Sequence, residues 1–331
     1  MAFKVMTWNV ENLFRRDSES PPEELQEYQQ KLTLLAGFIN SQAPDVAAFQ
    51  EVGGEEPLLD LQQALGGTYP HRAVSAFPDR RGIRVAFLSK VPVEETMDFV
   101  DFPPGPALDL KNLTGSGESE PVTRMSRGAL LIRVTKGNLT ATLITAHLKS
   151  KLLSFPRAHG SSFQPRDENE RTQVAGIALH RRAAEAATLR LHINAILQDN
   201  NHSPLVLLGD FNDVPEAQTS LLLTGPPGSE IDTRGFNRPD KGDDVRLFNL
   251  APLIALERRF SRVHYGRGEL LDQILVSEEF LPPGPDNHRQ LPGVDSHVDF
   301  VEALRSVRDD PGERRRDVAP DHAPVSAQFD L

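Results

Sequence analysis

Short runs that stay apolar at successive positions, instead of alternating, most restrict the fold of this 331-residue chain. Val46–Gln50, Ala129–Val134 and Leu205–Leu208 have strand character and are apolar on both faces, so each must lie in a sheet covered by other layers. Phe3–Trp8, Arg84–Leu88, Thr140–Thr145, Leu270–Val276 and Pro324–Phe329 add further strands. Two helical patterns lie between them. The first starts at Pro22, with Glu23 and Glu24 in its opening turn, and repeats Leu25, Tyr28, Leu32, Leu35 and Ile39 at helical spacing. The second runs from about Glu168 to Gln198, with Val174, Ile177, Ala184, Ala187 and Leu191 on one stripe. Leu58–Leu65 and Glu216–Leu223 read as shorter helices. Strands and helices mix without regular βαβ alternation, which predicts an α/β fold of sheets packed face to face with helices outside.

One domain over 1–331 is expected, with Pro- and Gly-rich excursions at 102–121, 225–244 and 281–294 that are too short to fold alone. The charge run Glu313–Asp317 reads as a solvated turn. No stretch of about 18 apolar residues is present, so membrane insertion is not expected. A strand-like start and the absence of cysteine favour the cytoplasm; a secreted protein shorn of its leader is the alternative. The net charge of −11 argues against a protein that coats nucleic acid through many phosphate contacts. It leaves room for an enzyme that gathers carboxylates around a divalent cation.

Five segments put oxygen ligands and histidines at predicted strand ends, where a rigid sheet aims side chains into one place. Asn9 follows the first strand, in Thr7-Trp8-Asn9-Val10-Glu11, and offers an amide to a phosphate or metal-bound oxygen; taken alone it also reads as a turn residue. Glu51 ends the apolar strand of Phe49-Gln50-Glu51, where a hard divalent ion finds a carboxylate. His147 leaves a strand in His147-Leu148-Lys149-Ser150-Lys151, an imidazole followed by two lysines suited to phosphate. Gly209-Asp210-Phe211-Asn212 is the most telling: a strand ends in a turn that projects an acid and an amide in one direction. Asp272 lies inside an apolar run, which is unfavourable unless the acid is paired; His322 of Pro320-Asp321-His322 is the natural partner.

In this order, from Asn9 to His322, the segments resemble the endonuclease/exonuclease/phosphatase superfamily with its deoxyribonuclease I-like fold. The resemblance implies a four-layer α/β sandwich of two mixed β-sheets with the site at the top of the central strands. It implies Asn9, Glu51 and Asp321 on the metal side, with Mg²⁺ the expected ion and Mn²⁺ or Ca²⁺ the alternatives. Asp210 and Asn212 become the acid and amide that handle water, His147 one catalytic histidine, and Asp272 the aspartate that orients the other, His322. Arg127 falls where nucleases of the family place a phosphate-binding arginine.

Two branches fit poorly. Leu270-Leu271-Asp272-Gln273 lacks the Trp-Cys-Asp-Arg type signature of inositol-polyphosphate phosphatases, and Ala146-His147-Leu148-Lys149 lacks the tyrosine context of abasic-site endonucleases. His147 to Lys151, with Arg171-Thr172-Gln173 opening a helix, looks like bacterial nucleases of the superfamily. A metal-dependent phosphodiesterase acting on DNA or RNA, as a monomer, is therefore expected. Lys149 and Lys151, with Arg157, Arg166 and Arg171, are candidates for a phosphate-tracking groove. A phosphomonoesterase or inositol- or lipid-phosphate hydrolase on the same fold, and a noncatalytic binding module, are the alternatives.

Overall fold

The computed structural model describes the chain apart from residues 17–18, 106–107, 115–117, 200–202, 239–244, 265, 284–287 and 301–317. In chain order the main elements are β1 (Ala2–Leu13), α1 (Pro22–Gln42), β2 (Val46–Val52), α2 (Glu55–Ala64), β3 (His71–Val74), β4 (Arg84–Ser89), β5 (Val93–Asp101) and β6 (Arg124–Lys136). There follow β7 (Leu139–His147), α3 (Glu168–Asp199), β8 (Leu205–Asp210), α4 (Gln218–Thr224), β9 (Phe248–Asn249), β10 (Asp272–Val276), β11 (Gly293–Ser296) and β12 (Val325–Asp330). The charge run Glu313–Asp317 lies outside the described residues.

The strands form two six-stranded sheets, ordered β11-β12-β1-β2-β4-β3 and β9-β10-β8-β7-β6-β5. Each has one parallel pair at its centre, and each pair is joined by a long helix: β1-α1-β2 and β7-α3-β8. All other neighbours are antiparallel. A parallel pair brings the C-terminal ends of both its strands to one edge, and the two pairs share that edge in the sandwich.

Alternation along the strands sorts the apolar side chains into three layers. Phe3, Val5, Val46 and Ala48 from the first sheet meet Leu143, Val206, Leu208 and Ile274 from the second in the core between the sheets. Met6, Trp8, Ala47 and Phe49 face the other way, onto Leu35 and Ile39 of α1 and Leu58 and Leu61 of α2. Ile144, Leu207 and Leu275 pack on Leu189 and Ile193 of α3. The order helix, sheet, sheet, helix is the four-layer α/β sandwich. Among the described residues no helix is long and apolar enough to cross a membrane.

Helix α1 starts as its sequence dictates, with proline in its first turn beside Glu23 and Glu24, and stops where Ala43 turns left-handed (φ 48°) and its N–H caps Ile39 O at 2.8 Å. Two of the departures from the sequence reading have a clear physical reason. β5 was not expected, because Glu94, Glu95 and Asp98 interrupt its apolar pattern; it is an edge strand and needs only Phe99 and Val100 inside. The excursion at 102–121 contains a hairpin, Leu110–Leu113 with Ser119–Val122, seated on α3 through Leu108, Leu110 and Ala184.

Gly209 fixes how closely β8 approaches β7. Its φ is +154°, and a Cβ there would lie 2.0 Å from Ala146 O, a backbone atom that cannot step aside. Gly209→Ala is therefore expected to destabilise the protein by roughly 2–5 kcal/mol, from strain plus overpacking. Urea denaturation checks this, and a variant within about 0.5 kcal/mol of the parent would show that β8 tolerates a wider spacing.

Candidate active site

The inner faces of the four central strands end in polar groups. By alternation Asn9 follows Val5 and Thr7, Gln50 follows Ala48, His147 follows Leu143 and Thr145, and Asp210 follows Leu208, all pointing between the sheets. His147 and Asp210 are direct neighbours in the parallel register. β10 runs the opposite way, so its first residue, Asp272, pairs with Asp210 at the same edge. His322 arrives on the segment before β12, where its carbonyl accepts the Trp8 indole N–H at 2.8 Å. The structure thus brings Asn9, His147, Asp210, Asn212, Asp272 and His322 together, each at most 5% exposed.

Asp210 is the hub. Its Oδ2 accepts Asn9 Nδ2 at 3.0 Å and lies 3.4 Å from His147 Nε2 and 4.0 Å from His322 Nε2; its Oδ1 accepts the Asn212 backbone N–H at 2.9 Å. Behind His322, Nδ1 meets Asp272 Oδ2 at 2.6 Å, and the same oxygen accepts the Ser261 hydroxyl at 2.6 Å. Below, Gln50 donates to Thr7 Oγ1 and Thr145 Oγ1, both at 3.0 Å, and so bonds across the two sheets.

Burial sets the charges apart. It pushes the Asp210 carboxyl up to about 6, Asp272 adding to the effect while His322 and the hydrogen bonds from Asn9 and Asn212 oppose it. Burial also disfavours a charge on His322, but Asp272, Asp321, Asp210 and the hydrogen bond to Asp272 together outweigh it and push the imidazolium up to about 10. His147 goes well below the ordinary histidine value, first through burial and then through Arg127 and His322. Near neutrality the site holds one imidazolium, one neutral imidazole and a carboxylate poised to take a proton.

Asp210, Asp272 and His322 offer ligand atoms within 4.8 Å of one another. Their chemistry suits a proton relay better than a metal cage, since Asp272 Oδ2 is occupied and a protonated imidazole has no lone pair to give. Glu51 and Asn9 carry hard oxygen atoms of the kind that a divalent cation could take. Glu51 adopts a left-handed backbone (φ 66°) and receives the Asn12 N–H on Oε2 at 3.0 Å; among the described residues its Oε1 carries no hydrogen bond. Asn9 Oδ1 accepts the Glu11 N–H at 3.0 Å. The Asp321 carboxylate lies against Arg262, at 3.2 Å.

The basic residues chosen from sequence are placed differently from expectation. Arg127 is 6% exposed and sits behind His147, donating to His147 O at 3.1 Å and Leu148 O at 3.4 Å and pairing with Asp79 at 3.2 Å. Lys149 Nζ turns back onto Ser150 O and Leu152 O at 3.0 and 3.1 Å. Lys151 pairs with Glu269 at 2.9 Å, Arg157 and Arg166 with Glu170 at 2.7 and 3.2 Å, and Arg171 with Glu168. In this arrangement the cluster is balanced by acids and is not an open cationic groove.

Residues 6–294 match the Endonuclease/Exonuclease/phosphatase family. The chain belongs to this family. Compared with curated proteins, its sequence finds no significant match. Among solved structures, this member of the endonuclease/exonuclease/phosphatase family is similar to TDP2 from Caenorhabditis elegans (TM-score 0.55, 15% identity, covering 100% of this chain and 75% of that one). It is also similar to the human nocturnin catalytic domain with bound sulfate (0.54, 13%, 99% and 94%) and to D. rerio TDP2 complexed with a single-strand DNA product (0.54, 13%, 100% and 99%). At these identities the likeness is one of fold. Family enzymes are hydrolases of phosphate esters that depend on divalent metal.

Sequence reasoning missed Gln50, Ser261 and Glu185. Gln50 is hidden inside the Glu51 motif, and Ser261 precedes Asp272 by a whole hairpin. Glu185 had a signal, an acid among Ala183, Ala184, Ala186 and Ala187 in a buried helical stripe.

A histidine whose folded pKa lies above its unfolded value adds stability that is fully present below about 6.5 and is lost as pH rises through about 10. The parent's denaturation midpoint should therefore fall more steeply between pH 7 and pH 10.5 than that of His322→Gln, in parallel urea titrations. Equal slopes would remove the Asp272–His322 ion pair as a source of stability.

Proposed function

We propose that the chain is a divalent-metal-dependent phosphodiesterase that cuts nucleic acid by attack of an activated water. The observation that carries this reading is the buried Asp210 carboxylate, held by Asn9 and the Asn212 amide between two imidazoles of opposite protonation. The DNA product bound to D. rerio TDP2 and the sulfate bound to nocturnin support a phosphate-bearing, polynucleotide substrate on this fold.

In this reading Asp210 takes the proton of the attacking water, since its carboxyl titrates near 6 and is ionised at neutral pH. The side-chain Nδ2 of Asn212 is committed to Leu148 O at 3.0 Å, which fixes its Oδ1 as the acceptor that orients that water. His322, protonated and steadied by Asp272 and Ser261, binds a nonbridging phosphoryl oxygen and offsets charge gained in the transition state. His147, neutral and backed by Arg127, holds a second oxygen or assists the leaving group. Glu51, with Asn9 and Asp321, would hold a divalent cation, Mg²⁺ by preference, and when bound it would supply Lewis-acid stabilisation of the phosphoryl group.

A panel of supercoiled DNA, single-stranded DNA, RNA, bis-p-nitrophenyl phosphate and inositol phosphates, with Mg²⁺, Mn²⁺ or EDTA, tests this directly. Cleavage of a polynucleotide that EDTA stops is expected, with Asp210→Asn and His322→Ala each lowering kcat by roughly 10²–10⁴-fold. Activity should also fade as pH drops through about 6, when Asp210 gains its proton. Turnover restricted to monoesters, or full activity of Asp210→Asn, would sink the assignment.

A further inference from the structure

One turn of α3 grips the site from behind, through two residues that touch none of its reacting atoms. Glu185 is fully buried. Its Oε1 accepts the Ser126 N–H at 2.7 Å and the Ser126 hydroxyl at 2.6 Å, and its Oε2 accepts the Lys149 N–H at 2.6 Å. Three residues earlier in the helix, Arg182 donates from one nitrogen to Lys149 O at 3.1 Å and from another to Asp213 Oδ2 at 3.1 Å. The Lys149 residue is thus held at both its N–H and its carbonyl, two positions beyond His147. Asp213, one position beyond Asn212 and three beyond Asp210, is held by the same arginine and by the Thr219 hydroxyl at 2.7 Å. Ser126 precedes Arg127, whose guanidinium reaches the carbonyls of His147 and Leu148.

A buried carboxylate is unfavourable unless hydrogen bonds replace its water, and here two backbone amides and a hydroxyl do so. An apolar side chain at 185 would pack against the sheet without that burden, as Ala186 and Leu189 do. What the acid adds is direction: it ties the start of β6 to the exit of β7, while Arg182 ties the exit of β7 to the exit of β8. His147 and Asp210 stand on those two exits, 3.4 Å apart.

We infer that Glu185 and Arg182 form a positioning clamp that sets the His147–Asp210 separation, so that the helix behind the second sheet controls turnover without touching substrate. The inference rests on the proposed roles of His147 and Asp210. Glu185→Gln keeps the shape of the side chain but turns an amide NH2 toward one of the N–H donors, releasing either Ser126 or Lys149. Arg182→Lys keeps one charge but reaches only one of its two acceptors.

The test measures kcat and KM on bis-p-nitrophenyl phosphate in Mg²⁺ for full-length Glu185→Gln and Arg182→Lys. Rates are taken per folded molecule by circular dichroism, with Ile193→Val of the same helix as a destabilised control. The expected result is a tenfold or greater loss of kcat in Glu185→Gln, with KM within twofold, a smaller loss in Arg182→Lys and none in Ile193→Val. In a His147→Ala background the Glu185→Gln effect should shrink below twofold, since the His147–Asp210 separation that the clamp sets then no longer exists. Unchanged kcat, or losses that add in full to that of His147→Ala, would overturn the clamp. Should Glu185→Gln not fold, Arg182→Lys with the same double variant decides alone. Full activity in Asp210→Asn would instead remove the proposed chemistry, a different outcome from an intact Asp210 requirement with an indifferent Glu185.

Discussion

The seam between the two sheets is the constraint on which the rest of the molecule depends. Apolar packing across it, from Phe3 and Val5 to Leu208 and Ile274, has no preferred direction and would allow the sheets to slide. Directional bonds at one edge remove that freedom: Asn9 to Asp210 and Gln50 to Thr145 each cross from one sheet to the other at 3.0 Å. Asp272 and His322 add a third crossing, close and charge-assisted. The groups that fix the sandwich's alignment are largely those to which the proposed chemistry is assigned.

That double duty has an electrostatic side. Two acids and two histidines buried together would repel or lose their charges if each stood alone. Instead, Asp272 stabilises the positive form of His322, and the positive charge in turn helps hold Asp210 near the range where it exchanges a proton. Strain gathers at the same place: Glu11, Asn12, Glu51 and Asn212 all adopt positive φ, a costly backbone for side-chain-bearing residues that nearby hydrogen bonds maintain. Asn12 N–H on Glu51 and Asn212 N–H on Asp210 are two of those bonds.

Much of this was legible in the chain, for reasons that differ by residue. β2 and β8 announce themselves because buried parallel strands are apolar at successive positions, and α1 because its apolar stripe and its charged first turn coincide. The Asp272–His322 contact could be read because an acid in an apolar run demands a partner. β5 was not legible, since an edge strand needs few buried side chains and this one carries charge on its open face. Nor was the fate of the basic cluster after His147: a lysine or arginine looks alike in sequence whether it meets a phosphate or a neighbouring glutamate. Arg127 shows the same limit, being at the expected place in the chain but turned to the carbonyls behind His147. Glu185 acts on Ser126 and Lys149, 59 and 36 positions away, and no local pattern conveys such a reach.

The indole of Trp8 has one further consequence. Its ring packs against Phe38 of α1 while its N–H grips the carbonyl of a residue 314 positions later, and β1 takes β12 as a neighbour over the same span. During synthesis the first strand is made long before the strand that covers its edge, and the histidine that completes the charge balance comes later still than the acid it serves. A nascent chain therefore carries an open β-edge and an incomplete buried cluster, Asp272 without its histidine partner, until translation has passed His322.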